Sequence, residues 1–330
     1  MVKITDVAKA AGVSPSTVSH VLSGNRPISK ATRERVLSII KKLGYTPNPN
    51  ARAMKSSVTG IIGFFAADIT ELFVTEIIRG VESVIVPNRN HLLLVSGAEF
   101  DNDPKQAMEF LLSRRIDGAI ISYGISMDES DPGFKKLKIP MVFINRDVNE
   151  SIPCIIPDNY LAGRDVARHL SERRVKRVAI IGGPKNRSAS DNRIRGFLDA
   201  ADELGMNVPE ENIRHAPFTF DGGKKEMLQL IDEKREFDGL FCANDYIACG
   251  AMAAAGIHDL SIPEELKVIG FDDREFAKFW PTPITTMSQP LYEMGRLSAQ
   301  YLQDLISGGK EIPRLTTLSS TLILRESSSG

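Results

Sequence analysis

The sequence predicts an α/β protein preceded by a small all-helical module, and three observations carry that prediction. From Gly60 onward, short apolar runs alternate with amphipathic helical patterns through two cycles, as parallel sheets covered on both faces require. Residues 1–60 contain no such strand run and read instead as three capped helices. Charge divides at the same place. Those 60 residues hold ten Lys or Arg against two acids, and the other 270 hold 31 cations against 40 anions, so a net charge of −1 conceals two opposite parts. With 330 residues and 42% hydrophobic content, the chain is long enough for two or three cores.

The first two helices are Ile4 to Ala11 and Ser14 to Leu22, joined by Gly12 and Val13 in a turn tight enough for a helix-turn-helix. Ser14 is the N-cap of the second helix, and Pro15 at its first position presets φ without losing a hydrogen bond. At 100° per residue, Val18, Val21 and Leu22 face inward with Val7, Ala8 and Ala11, whereas Pro15, Ser16, Ser19, His20 and Ser23 project outward. Short hydroxyls and an imidazole approach base edges closely; a merely solvated face carries Glu and Lys in alternation. Ser29 caps a third helix running through Leu43, with Val36, Ile40 and Leu43 on one face and Gly44 as its stop. A basic module of this kind suits a polyanion, because each neutralised phosphate releases counterions.

Thr5-Asp6-Val7-Ala8, Gly12-Val13-Ser14, Thr17-Val18-Ser19, Thr32-Arg33 and Leu43-Gly44-Tyr45-Thr46-Pro47-Asn48 resemble the headpiece of the lactose/galactose repressor family. Weaker signals run to the Leu324-Arg325-Glu326-Ser327 ending, so the resemblance spans essentially the whole chain. It implies a DNA-binding headpiece over residues 1–46, a hinge over 47–59 and an effector-binding, dimerising body over 60–330. In the headpiece, Pro15, Ser16, Ser19 and His20 would read bases, while Thr5, Thr17, Asn25 and Tyr45 would position the DNA backbone. In the hinge, Asn48 can cap and Pro49 can open a helix to about Lys55, too short to be stable without a partner. The resemblance pairs this helix with its twin at the centre of the DNA site. Arg52 and Lys55 would then meet the backbone, and Met54 would stand where the family has a leucine wedge.

Strands are predicted at Ile61 to Ala66, Leu92 to Ser96, Ala119 to Ser122, Met141 to Ile144, Val178 to Ile181, Leu240 to Ala243, Val268 to Phe271 and Thr285 to Met287. Helices fall at Phe73 to Val86, Pro104 to Arg114, Leu161 to Glu172, Asp191 to Leu204, Gly223 to Asp232, Asp245 to Ala255 and Leu291 to Ile306. Two Rossmann-like lobes with a cleft between them follow. The resemblance implies the periplasmic-binding-protein arrangement, with three crossings. The expected N-lobe is about 60–160 plus 282–290, and the C-lobe about 161–281 plus 291–330.

Open parallel sheets bind ligands beyond the carboxyl ends of their strands. Asp68, Phe73, Asn145, Arg146, Arg187, Arg193, Phe218, Asn244 and Asp272 stand near such positions. Planar Arg, Asn and Asp groups with aromatic surfaces suit a sugar-like effector with several hydroxyls. By resemblance, Arg193, Asn244 and Asp272 are polar contacts, and Phe73 and Phe218 are stacking positions. Asn145 replaces an acid found in several members, and Ala189 stands where a hydroxyl is frequent. Arg146 beside Arg187 would favour a carboxylate or phosphate, although a salt bridge is the commoner fate of such an arginine. Asp245 reads as a helix N-cap and ranks below Asn244. Trp280 fits packing near a lobe crossing.

The chain lacks a GxxxxGK[ST] loop, a GxSxG elbow and a HExxH pair, so no enzyme is expected. Cys154, Cys242 and Cys249 are odd in number and spaced unlike metal ligands, as buried thiols in a reducing compartment would be. With no export signal and no membrane-spanning run, a cytoplasmic protein is expected, nucleoid-associated when on DNA. The expected function is a dimeric repressor on pseudo-palindromic double-stranded DNA, controlled by a small-molecule effector and needing no cofactor. The resemblance leaves a phosphoprotein corepressor open. A sugar receptor without DNA work would leave the headpiece idle, and a carbohydrate-modifying enzyme would need a poised carboxylate pair.

Overall fold

The computed structural model describes residues 2–23, 26–45, 58–70, 72–100, 103–122, 139–145, 152–185, 188–309 and 311–329. The chain divides into two compact units, Met1–Thr59 and Gly60–Gly330.

The first unit contains α1 (Ile4–Ala11), α2 (Pro15–Ser23) and α3 (Lys30–Leu43). Gly12 closes α1 at φ 60°, a left-handed conformation that costs glycine no Cβ clash. The Ser14 hydroxyl oxygen accepts the Thr17 N–H at 3.2 Å, and the Ser29 hydroxyl oxygen accepts that of Thr32 at 3.3 Å, so both expected caps are present. Val7, Ala8, Ala11, Val18, Val21 and Val36 form the core, with Ile40 and Tyr45 packed against it. Leu22 and Leu43 depart from the predicted inward face. Each is 37% exposed because a core of three short helices closes before it reaches their last turns.

The second unit has two six-stranded sheets. The first contains β1 (Ile61–Ala66), β2 (His91–Ser96), β3 (Gly118–Ser122), β4 (Met141–Ile144), β5 (Cys154–Pro157) and β11 (Leu315–Leu318), in the order β2-β1-β3-β4-β5-β11. The second contains β6 (Val178–Gly182), β7 (Ile213–His215), β8 (Gly239–Cys242), β9 (Lys267–Phe271), β10 (Thr285–Ser288) and β12 (Thr321–Ile323), in the order β7-β6-β8-β9-β10-β12. Its inner strands β6 and β8 are buried throughout, which is why they read as unbroken apolar runs.

Helices α4 (Leu72–Ile85) and α5 (Pro104–Ser113) belong to the first lobe. In the second, α6 (Asn159–Glu172) pairs with α7 (Ser188–Glu203) on one face, and α8 (Phe220–Asp232) with α9 (Asp245–Ile257) on the other. The α6–α7 crossing is glycine-dependent: a Cβ at Gly196 would lie 2.0 Å from the Tyr160 carbonyl oxygen. A short helix, α10 (Glu275–Phe279), precedes β10, and Trp280 after it packs on Phe220 within the second lobe.

Lobe membership after residue 281 is the reverse of the sequence expectation. Strand β10 pairs with β9, Thr285 opposite Ile269, and buries Met287 in the second lobe. Helix α11 (Leu291–Ile306) instead lays Leu291, Met294, Ala299 and Leu302 on the first sheet beside α4. The tail is shared, with β11 in the first sheet and β12 in the second. The chain thus crosses at β5–α6, β10–α11 and β11–β12. Periodicity marks these elements as half-buried but does not say which sheet completes the burial.

Among the described residues, no helix is long and apolar enough to cross a membrane. Cys154, Cys242 and Cys249 are buried, and burial pushes the Cys249 thiol up to about 12.

Candidate functional site

On the headpiece, Thr5, Pro15 and Ser16 are exposed, and Thr17, Ser19, His20 and Tyr45 are half-buried. The Ser14 hydroxyl lies 2.7 Å from that of Ser16 and 2.9 Å from that of Thr17, so the cap also orients the first turn of α2. Tyr45 packs on the helical core while staying partly exposed. Asn25, Asn48, Arg52, Met54 and Lys55 lie outside the described residues.

In the body, polar side chains gather where the second sheet meets the first lobe. Arg193, on α7, is 6% exposed. Its Nε donates to Asn159 Oδ1 at 2.8 Å, its Nη1 donates to the Ala243 carbonyl at 2.7 Å, and its guanidinium lies 3.5 Å from the Phe271 ring centroid. The same Nη1 is 3.9 Å from Asp272 Oδ1. This grip leaves a rigid cation with one edge toward Asp272. Asp272 in turn accepts from Gln289 Nε2 at 2.6 Å, on the segment that crosses from β10 to α11.

Asn244, not Asp245, caps α9, its Oδ1 accepting the Ile247 N–H at 2.8 Å. Asp245, fully buried, accepts the Arg274 N–H at 2.7 Å and the Thr286 hydroxyl at 2.7 Å. Burial, then the nearby Asp272, pushes its carboxyl up to about 7. The acid therefore fixes the loop after β9 rather than capping a helix. Asp272 at φ 102° and Asp273 at φ 54° turn that loop through left-handed conformations, and Arg325 pairs with Asp273 to hold it.

One aromatic surface borders this floor: Phe73, on the first lobe, lies with its ring centroid 6.0 Å from the Arg274 guanidinium. Phe218, 37% exposed, occupies the space over Gly183, where a Cβ would come within 2.2 Å of the ring. Asn145, held at φ 57°, lines a cavity of about 260 Å³ with Asn159, Ala189, Asn192, Arg195 and Thr317. Asp68 does not join the cluster. Its Oδ1 accepts the Thr70 N–H at 2.8 Å and the Thr70 hydroxyl at 2.6 Å, closing its own exposed turn and lowering its pKa. Arg146 and Arg187 lie outside the described residues.

Arg274, Asn159 and Gln289 are the members that sequence reasoning missed, and it reads Asp245 as a cap. Asp272-Asp273-Arg274 follows a buried strand, a position that predicts ligand contacts, but a charged triplet also reads as solvated loop. Among the described residues no group of His, Cys, Asp or Glu is arranged to hold a metal ion.

The family descriptions agree with this geometry. Residues 3–48 match the model described as bacterial regulatory proteins, lacI family, and residues 167–328 match a periplasmic binding protein-like domain. The HTH-type transcriptional repressor CytR of Escherichia coli (strain K12) is 34% identical over 306 residues, 92% of this chain and 89% of that protein. A complex of the transcriptional regulator CelR with cellobiose is 28% identical, with a TM-score of 0.73, covering 99% of this chain and 100% of that one. The Lac repressor dimer bound to operator and the anti-inducer ONPF shares the fold, with a TM-score of 0.85 and 24% identity over 100% of this chain and 99% of that one. With its helix-turn-helix head and two-lobed body, the chain belongs to the LacI family and is a DNA-binding transcriptional regulator.

Proposed function

We propose that this protein is a homodimeric repressor whose hold on a pseudo-palindromic operator is set by a small polar molecule, a sugar or sugar derivative, bound between its lobes. The observation that carries this reading is convergence. Asn159, Arg193, Asp272 and Gln289, distant in sequence, meet at one inter-lobe surface with Phe73 on the opposite side. Such a floor supplies edge-on hydrogen bonds for hydroxyls, and the aromatic ring supplies an apolar face. Two heads would enter successive major grooves, Pro15, Ser16, Ser19 and His20 facing base edges and Thr5, Thr17, Asn25 and Tyr45 the backbone. Asn48, Arg52, Met54 and Lys55 would act at the centre of the site as the hinge orders on DNA. Effector binding changes lobe closure and so the spacing of the hinges, with a coupling of about 1–3 kcal/mol. A DNA-bound role implies the cytoplasm and the nucleoid.

The test is selection of inverted-repeat duplexes by the full chain at moderate salt, with and without a metabolite pool. A preferred repeat whose affinity shifts with the pool is the expected result. Absence of any inverted-repeat preference under both conditions would sink the reading.

A further inference from the structure

Among the described residues of the cleft, Arg274 is the guanidinium whose charge is least well answered. Its residue is 8% exposed, yet its Nε has no hydrogen-bond partner. Its Nη2 is 3.8 Å from Asp272 Oδ2, beyond hydrogen-bonding distance. The same Asp272 already accepts from Gln289 and faces Arg193 at 3.9 Å, so one carboxylate stands among two guanidinium groups and an amide. Asp273 does not make up the difference, because it pairs with Arg325. Asp245 holds the backbone N–H of Arg274, not its side chain, and burial favours its neutral form.

A desolvated guanidinium with an unused Nε is costly unless something answers its charge. Its backbone is held by Asp245 and its loop is turned by two left-handed residues, which fixes the root of the side chain beside Asp272. The side chain lies in the second lobe, while the ring beside it, Phe73, lies in the first. The Nε is covered and unpartnered, and Nη2 faces Asp272 only at 3.8 Å, so an occupant that enters between the lobes is what would complete the Nε–Nη2 fork, which matches two oxygens of a carboxylate or phosphate.

We propose that the effector carries an anionic oxygen group, carboxylate or phosphate, and that Arg274 is the residue that selects for it. The inference rests on the reading that a small molecule occupies this cleft. It concerns only which molecules do so.

The experiment measures binding to the full chain by calorimetry, and operator affinity in parallel, for matched sets: glucose, glucose 6-phosphate and gluconate; ribose, ribose 5-phosphate and ribonate. At least one anionic member is expected to bind about 30-fold or more tightly than its neutral parent, as loss of a buried charge-paired contact implies. The phosphate and acid arms tell which anion is preferred. Arg274→Gln should erase that preference, bringing the anionic member to within about 3-fold of its neutral parent, and Arg274→Lys should restore part of it. Unliganded melting temperatures of both variants check that the body still folds. Neutral sugars that bind as tightly as their anionic partners and still shift operator affinity would overturn the anion inference and leave the effector reading standing. A panel with no binding member and an unmoved operator affinity would overturn both.

Discussion

In the first sheet the last strand, β11, runs parallel to its neighbour β5, whereas in the second the last strand, β12, runs antiparallel to β10, although both sheets otherwise repeat one order. Two residues, Ser319 and Ser320, separate β11 from β12, so the chain passes directly from one lobe to the other and reverses relative to the sheet it joins. Beyond β12 the tail is stitched to the second lobe. Ser327 donates to the Val268 carbonyl at 2.6 Å, Ser328 donates to Thr285 at 2.7 Å, and Arg325 pairs with Asp273. The second lobe therefore braces the loop that carries Asp272 and Arg274, and most of its polar side chains already have partners. The first lobe contributes the Phe73 ring and Asn145. A preorganised floor against a simpler wall suits the proposed effector control through lobe closure better than through side-chain rearrangement.

The largest effect should come from breaking the frame of the braced lobe. Gly196→Val places a side chain where the α6–α7 crossing leaves 2.0 Å to a carbonyl oxygen, and about 3 kcal/mol or more of stability should be lost. Denaturant melts measure it, and Gly295→Val makes the same test on the first lobe, where a Cβ would meet the Ile77 carbonyl at 2.0 Å. Equal losses would show that the lobes depend alike on their helix crossings.

Next in size, Arg193→Ala removes the cation held by Asn159 and Ala243. Effector affinity should fall about 30-fold or more with operator preference unchanged. His20→Ala should do the reverse, altering base preference by about 1–3 kcal/mol at one position while sparing effector binding. Loss of both functions together in either folded variant would contradict the separation of head and body.

A smaller effect is a slope with pH. Asp245 has a folded-state pKa of about 7, above its ordinary 3.8, so the folded protein keeps a proton that the unfolded chain releases. Its contribution to stability is fully present below about pH 4 and is lost as pH rises through about 7. Asp245→Asn cannot titrate, so the melting temperature of the variant minus that of the parent should rise between pH 5 and pH 8. A flat difference would show that the acid is ionised in place. Smallest of all, Phe73→Ala should weaken effector binding by less than about 10-fold, since it trims the wall and not the floor.

Much of this was legible in the sequence where a local cause sets the structure. Ser14, Ser29, Gly12 and Gly44 mark helix ends through hydrogen bonds made within a few residues. Buried strands such as Val178–Gly182 are visible as apolar runs. The strands Cys154–Pro157, Ile213–His215, Leu315–Leu318 and Thr321–Ile323 are not marked by a continuous apolar run, because Pro, Arg, His or Thr interrupts each of them. The cleft divides in the same way. Arg193 and Asp272 follow from position beyond a strand, but nothing local distinguishes Asn244 as the cap from Asp245 as the buried anchor. That distinction comes from Thr286 and Arg274, 41 and 29 residues away in the chain.

The three crossings also bear on synthesis. The face of the first sheet that α11 covers is made early, whereas α11 follows α4 by about 200 residues and emerges only after β6 through β10. A nascent chain halted near residue 160 would hold an incomplete lobe with that apolar face uncovered, a candidate for chaperone capture or aggregation on the ribosome. Completion of the earlier lobe must then wait until α11 and β11 have been made.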